Sequence, residues 1–444
     1  MKLVYGVDAK IKDMGFLNTL VFALQQLLAI MAATIAVPAI IGNGMSSTAA
    51  LFGAGVGTLV YLLFTKFRSP VFLGSSFAFI GSMFAAFAGG ASMAVGYLGL
   101  IIGAAFAGLV YVVLAICVKF AGVGWINKLM PPVVIGPTVA IIGLSLAGNA
   151  VGDLAKGSVL VDNNPIASPY VALICGLVTL FVTIISSVYG KKMIKLIPFI
   201  MGILAGYAVA AVFTLIGTAT DNAALMVIDF AKFEAIKWIP DFTFLTAFGG
   251  IKDIDAAFIG TVAVAYIPVA FVVFAEHIAD HKNLSSIIEK DLLTEPGLHR
   301  TLLGDGIGSF AGSIFGGCPN TTYGESVGCV AISGNASVAT IFTTAIMAIV
   351  ISFFGPFATF LSTIPSCVMG GICIALYGFI AVSGLKMIQA IDLNQNKNLF
   401  VVSVILIAGV GGLAVSFGKV TITSIACALI LGILTNTIVA KAKD

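Results

Sequence analysis

Charge is scarce in this chain: Asp, Glu, Lys and Arg make up 9% of 444 residues, against 60% apolar. With a mean hydropathy of +1.14, that balance excludes a soluble domain, which needs more polar surface to cover its core. The net charge is only +3 and no basic cluster with interleaved aromatics occurs, so nucleic acid is not expected as a partner. No CxxC pair occurs. Cys117, Cys175, Cys318, Cys329, Cys367, Cys373 and Cys427 all fall in apolar segments and read as membrane-embedded thiols, neither disulfides nor metal ligands. The start, MKLVYGVDAKIKDMG, lacks an apolar h-region and a small-residue cleavage site, so no cleaved signal peptide is expected and the first span acts as the internal signal. Zinc-ligand spacing, a nucleotide loop and a Ser/His/Asp set are missing too, which speaks against an enzyme.

What is there is membrane. Windows of roughly 20 apolar residues, enough to cross a ~30 Å hydrocarbon layer, recur along the whole chain. We read an all-α polytopic protein of fourteen spans, at 16–41, 48–65, 71–88, 95–118, 132–149, 169–188, 194–217, 256–279, 303–317, 318–334, 337–356, 362–385, 398–417 and 420–440. With the N-terminus in the cytoplasm, 17 of the 22 Lys and Arg face inward, as the positive-inside rule asks. Only Lys156, Lys232, Lys237, Lys252 and Lys419 face outward, and both termini are cytoplasmic. Glycine, 50 residues in all, exceeds the usual ~7%; pairs such as Gly53/Gly57 and Gly99/Gly103 suit close helix packing.

Two spans are odd. The third opens with Gly74-Ser75-Ser76 and the tenth with residues 319–324, PNTTYG, neither helical by propensity. About six extended residues cover ~20 Å and ten helical ones add ~15 Å, so a short strand plus a half-helix crosses the bilayer. Such a break is tolerated only where it lines a cavity or is buried in protein. Each odd span is third in a set of seven. Seven is odd, so the second set is inserted upside down, and paired broken segments in inverted halves point to a transporter's midplane site. The halves are residues 1–217 and 256–444, joined by a polar outer linker at 218–255. The charged inner stretch 280–302 reads as a short amphipathic surface helix followed by a turn at Pro296-Gly297.

Two carboxylates, Glu276 and Glu325, lie inside these apolar stretches. A charge at bilayer depth costs at least about 2.5–3.5 kcal/mol, which makes each a functional-site candidate. His277 and Asp280 follow Glu276 within a turn and are candidates for a proton relay; the other reading of His277 and His281 is a pair of interfacial histidines at a helix end. Gln25, one turn before Ala29 on span one, either faces the same cavity or makes a helix-packing hydrogen bond.

Four segments, LQQLLAIMAATIAVP, LGSSFAFI, AEHIADH and GGCPNTTYGESVG, stand in the order and spacing of a known family. The chain resembles the nucleobase/ascorbate transporters, in particular the bacterial uracil permease branch, over essentially its whole length. The resemblance implies two inverted repeats of seven spans, with spans 1–4 and 8–11 forming a core domain and spans 5–7 and 12–14 a gate domain. It implies a proton-coupled uracil importer of the cytoplasmic membrane, often a homodimer, with no cofactor beyond the coupling proton. By position, Glu276 matches the base-binding glutamate, Glu325 the second glutamate of the site, and Phe77, beside Ser76, the aromatic bordering the base. Tyr323 and Gly324 match the facing strand, and Tyr377 a tyrosine near the site. Glu325 either binds the base or carries the proton. Departures are Ser326 in place of Asn, Ser333-Gly334 at the motif's end, and Asp280, with His281 beside it, where some uracil carriers have His. They bear on substrate choice and on the proton path.

The residue types suit the chemistry. Uracil offers two N–H donors and two C=O acceptors on a flat ring, and an ionised carboxylate accepts only. Backbone N–H groups at a half-helix start can serve the ring carbonyls, and aromatic rings can bound its faces. Alternatives are a xanthine or uric acid carrier of the same family, or an anion exchanger of the related sulfate/bicarbonate type. Glu325, placed at a half-helix start, would repel an anion.

Overall fold

A computed structural model describes residues 3–122, 131–161, 164–191, 193–417 and 420–440. Lys2, Lys128, Lys192, Lys419, Lys441 and Lys443, used above for orientation, lie outside them. Each of the fourteen expected segments contains a helix. The first seven hold α1 (Phe16–Ile41), α2 (Ser47–Phe64), strand β1 (Leu73–Ser75) with α3 (Ile80–Gly89), α4 (Met93–Ala121), α5 (Pro132–Ser145), α6 (Pro169–Tyr189) and α7 (Pro198–Ala219). The second seven repeat that order with α8 (Ala256–Ile288), α9 (Leu298–Gly316), β2 (Asn320–Thr322) with α10 (Gly324–Ser333), α11 (Val338–Ile351), α12 (Ser366–Gln389), α13 (Asn396–Val410) and α14 (Ser424–Val439). Among the described residues, eight helices are individually long and apolar enough to cross a membrane, nine if α11 and Gly355–Thr363, bent by 83°, are one span. The half-helices fall short of that length, as a strand–helix crossing requires.

Helices α1–α4 pack chiefly with α8–α11, and α5–α7 chiefly with α12–α14. Glycine sets the closest approach. A Cβ on Gly57 would lie 2.7 Å from the Gly308 carbonyl oxygen, and Gly53 meets Gly312 in the same way, so α2 and α9 touch backbone to backbone.

The broken spans meet at the centre of the first group. β1 and β2 pair antiparallel, Leu73 opposite Thr322 and Ser75 opposite Asn320. A two-stranded ribbon has two free edges, and in a membrane every backbone group needs a partner. Side chains of the flanking helices supply them. Thr58 Oγ1 on α2 accepts from the Leu73 N–H (2.9 Å), and Ser309 Oγ on α9 accepts from Asn320 N–H (2.9 Å). Asn320 Nδ2 in turn donates to the Gly53 carbonyl (3.2 Å).

Two expectations are corrected. The surface helix placed within 280–302 is the unbroken continuation of α8 to Ile288. No Gly or Pro stands between Asp280 and Ile288 to end it; left-handed Glu289 (φ 55) does. Span thirteen, expected to 417, ends at Val410, where Gly411-Gly412 turn the chain and Val415–Phe417 pair with Val420–Ile422 as a hairpin.

Candidate solute-binding site

A cavity of about 430 Å³ lies between the ribbon, α8 and α10 on one side and α5, α7 and α12 on the other. Its first wall is polar: Ser76, Glu276, Asp280, Thr321, Thr322 and Glu325. Its second is apolar: Ile135, Val139 and Ile142 of α5, Phe199 of α7, and Leu376, Phe379, Ile380 and Met387 of α12, with Ser383 among them. Glu276 and Asp280 share a face because they stand one turn apart on α8, and Glu325 sits in the first turn of α10, where the helix dipole favours an acid. All three are half-buried, and among the described residues none has a cation within ion-pair distance. Thr322 Oγ1 donates to Asp280 Oδ2 (2.8 Å), tying α8 to β2.

Phe77, Ser76, Tyr323 and Gly324 also line the cavity. The Ser76 hydroxyl is buried without a hydrogen-bond partner among the described residues, the state of a group waiting for a ligand or a water. The Tyr323 hydroxyl donates to the Ser75 carbonyl (2.7 Å), so toward the cavity this residue offers only its ring and backbone. Its ring fills the space over Gly74, where any Cβ would collide with it. Tyr377 is 3% exposed and lies behind Phe77, edge to face at 6.1 Å, rather than on the wall.

Gln25 and Ala29 stand off the lining. Gln25 is half-buried, and its neighbour Gln26, 3% exposed, points inward and donates to Ser326 Oγ and, at 3.4 Å, to the Ser326 carbonyl. Ser326 Oγ also accepts from Phe72 N–H (3.1 Å). That one hydroxyl joins α1, the strand leading into the crossing and the half-helix carrying Glu325.

The histidines are not interfacial. His277 and His281 are both 0% exposed and face away from the cavity toward α9 and α2. His277 Nδ1 lies 2.6 Å from Asp305 Oδ2, and its Nε2 lies 2.9 Å from Thr301 Oγ1. His281 Nδ1 donates to the His277 carbonyl (2.8 Å), while its Nε2 meets the Tyr61 hydroxyl at 2.7 Å. The Thr322 backbone amide faces the Asp305 carboxylate, so one residue contacts both the cavity-facing and the hidden acid. Sequence reasoning passed over Asp305, although it lies within expected span nine and the intramembrane-acid rule singles it out. It also passed over Gln26 and Thr322.

A helical bundle with an acid-walled cavity at a crossing of two half-helices has the architecture that membrane transport proteins use. Comparison with known proteins sharpens the class. The sequence model Xan_ur_permease, described as a permease family, matches residues 17–417. The chain is 39% identical over 420 residues to the uracil permease of Bacillus caldolyticus, covering 94% of this chain and 90% of that one. It is 38% identical over 432 residues to the uracil permease of Bacillus subtilis, covering 95% and 93%. Its fold is shared with the transmembrane domain of the cyanobacterial bicarbonate transporter BicA, at TM-score 0.65 and 16% identity over 98% and 99% of the two chains. The chain belongs to the xanthine/uracil permease family, and is a multi-pass membrane protein.

Proposed function

We propose that this permease is a proton-coupled symporter that imports uracil across a bacterial cytoplasmic membrane by alternating access, with both termini cytoplasmic. The observation that carries the reading is the convergence of Glu276 and Glu325 on one cavity at the start of a half-helix. The relatives named as uracil permeases supply the solute. Glu276 accepts a ring N–H. Glu325 accepts a second or carries the coupling proton. Amides opening the two half-helices serve the ring carbonyls, Phe77 covers one ring face, and the Ser76 hydroxyl finds its partner in the solute.

Proton coupling follows from charge balance. Three acids share the cavity, none paired with a cation among the described residues, and uracil is neutral, so a proton is the simplest compensating charge. Asp280 stands nearest the inward helix ends and passes protons between the cavity and the cytoplasm. His277, facing Asp305, is linked to that path through Thr322, whose amide meets Asp305 and whose hydroxyl donates to Asp280. The polar wall belongs to spans 1–4 and 8–11, the core, and most of the apolar wall to spans 5–7 and 12–14, the gate. Rocking one against the other exposes the site to alternate sides. The cavity reaches Ser383 and Met387 near the end of α12, an inward-open arrangement in the orientation read from the sequence. The family resemblance adds a homodimer, checked by mass determination in nanodiscs.

Uptake of labelled uracil, xanthine and sulfate into proteoliposomes, with and without an inward proton gradient, tests the reading. Uracil should accumulate only with the gradient. Uracil uptake indifferent to the gradient removes symport; xanthine outcompeting uracil replaces the solute; sulfate uptake makes the chain an anion carrier.

A further inference from the structure

The chain ahead of α1 does not hang free. Residues 4–9 lie along the turn that follows the half-helix α10, some 330 positions later in sequence, bridging it at Tyr5 and then turning at Val7-Asp8, where Ala9 N–H donates to the Gly6 carbonyl (3.1 Å). Val4 and Tyr5 N–H both donate to the Gly334 carbonyl (2.8 and 3.2 Å), Ala336 N–H donates to the Tyr5 carbonyl (2.9 Å), and Val338 N–H to the Val7 carbonyl (3.2 Å). Ser337 Oγ closes the run on the Ala9 carbonyl (2.6 Å). Asn335 Nδ2 holds Thr340 Oγ1 (3.0 Å) and Met14 Sδ (3.7 Å).

The other repeat does the same in reverse. The chain ahead of α8, through Thr243–Ala247 and Gly250, lies on the first turn of α4, directly after the half-helix α3. Contact is so close that a Cβ on Gly250 would lie 2.7 Å from the Ala94 backbone. In both repeats, therefore, the segment preceding the first span crosses over and packs against the turn between half-helix and fourth span of the opposite repeat.

We propose that these two segments are reciprocal braces, and that residues 4–9 position Glu325 by fixing the far end of its half-helix. A ten-residue helix is marginal by itself, so its axis is set by what grips its ends. The ribbon and Ser326 hold the end bearing Glu325, and the brace holds Gly334. A tilt of roughly 4° about the held end displaces Gly334 by about 1 Å over the ~15 Å between them and re-aims the Glu325 carboxylate, which weakens a positioned hydrogen bond. As a statement about uracil binding this rests on the function proposed above; as a statement about α10 it does not.

The test compares wild type with Val4→Pro/Tyr5→Pro, which removes both N–H donors to Gly334 while keeping an extended backbone. Amide exchange of the peptide covering α10 should quicken by about tenfold, the loss expected for two backbone hydrogen bonds, while α9 keeps its wild-type rate. The uracil KM should rise about fivefold with the maximal rate within about twofold. Unchanged exchange in α10 overturns the brace. An unchanged KM with a reduced maximal rate overturns the positioning role, since a merely structural segment changes only how much carrier is active. Val4→Pro alone, which removes only the shorter of the two bonds to Gly334, should shift both readouts the same way by about threefold; it decides the matter should the proline pair not fold. Absence of uracil uptake in the wild type would count against the proposed function alone, leaving exchange to judge the brace.

Discussion

Ser326→Ala is the most informative single change near the cavity. Ser326 is 0% exposed, and its hydroxyl accepts from both Phe72 N–H and Gln26 Nε2. Removing it strands the Phe72 amide with no partner, a desolvation cost of about 1–3 kcal/mol, and leaves Gln26 only its longer bond to the Ser326 carbonyl. We expect a total loss of about 2–4 kcal/mol of stability. Gln26→Leu should cost less, about 1 kcal/mol, because the Ser326 hydroxyl still serves Phe72. The double variant should resemble Ser326→Ala, giving a coupling of about 1 kcal/mol. Thermal unfolding of the four proteins in one detergent reads the ranking, and uracil binding reads its reach, since Glu325 is the adjacent residue. A Ser326→Ala protein as stable as wild type, or a Gln26→Leu protein less stable than it, would refute the reasoning.

Gly57→Ala should push α2 from α9 at the Gly308 carbonyl, a backbone atom that has nowhere to yield, and lower the unfolding midpoint by an amount equivalent to about 1–3 kcal/mol. His277→Ala leaves Asp305 buried without its ring partner; we expect about 3–5 kcal/mol of destabilisation, seen as a loss of monodisperse protein rather than a selective loss of uracil binding. Phe77→Ala removes the aromatic face of the cavity and should weaken uracil binding by about 1–3 kcal/mol, the usual worth of base stacking; because Phe77 is buried against Tyr377 it should also lower the unfolding midpoint, so binding is read on folded, monodisperse protein.

Much of the site was legible because its signals are local. The Gly74-Ser75-Ser76 and Pro319–Gly324 breaks announce themselves against apolar surroundings, and Glu276 and Glu325 stand out by charge alone. Helix phase was not legible. α1 is apolar nearly all round, so nothing in its pattern distinguishes Gln25 from Gln26, and only packing against Ser326 decides. The histidines at 277 and 281 looked interfacial because the span seemed to end at 279; once α8 runs on to Ile288, they fall inside the bundle. Asp305 lies among Gly304, Gly306 and Gly308 of span nine, outside both broken segments and every matched motif, so nothing beyond its charge drew attention to it. The brace on Gly334 was out of reach, since a backbone pairing across most of the chain has no composition and no period.

The central claim is that Glu276 holds the solute. Equilibrium binding of labelled uracil to purified wild type and Glu276→Gln, without any gradient, addresses it directly. The account predicts saturable binding by the wild type and at least a tenfold loss in the variant, since one hydrogen bond to a charged acceptor contributes about 1.5–3 kcal/mol. A folded Glu276→Gln protein that binds uracil as tightly as the wild type would contradict it.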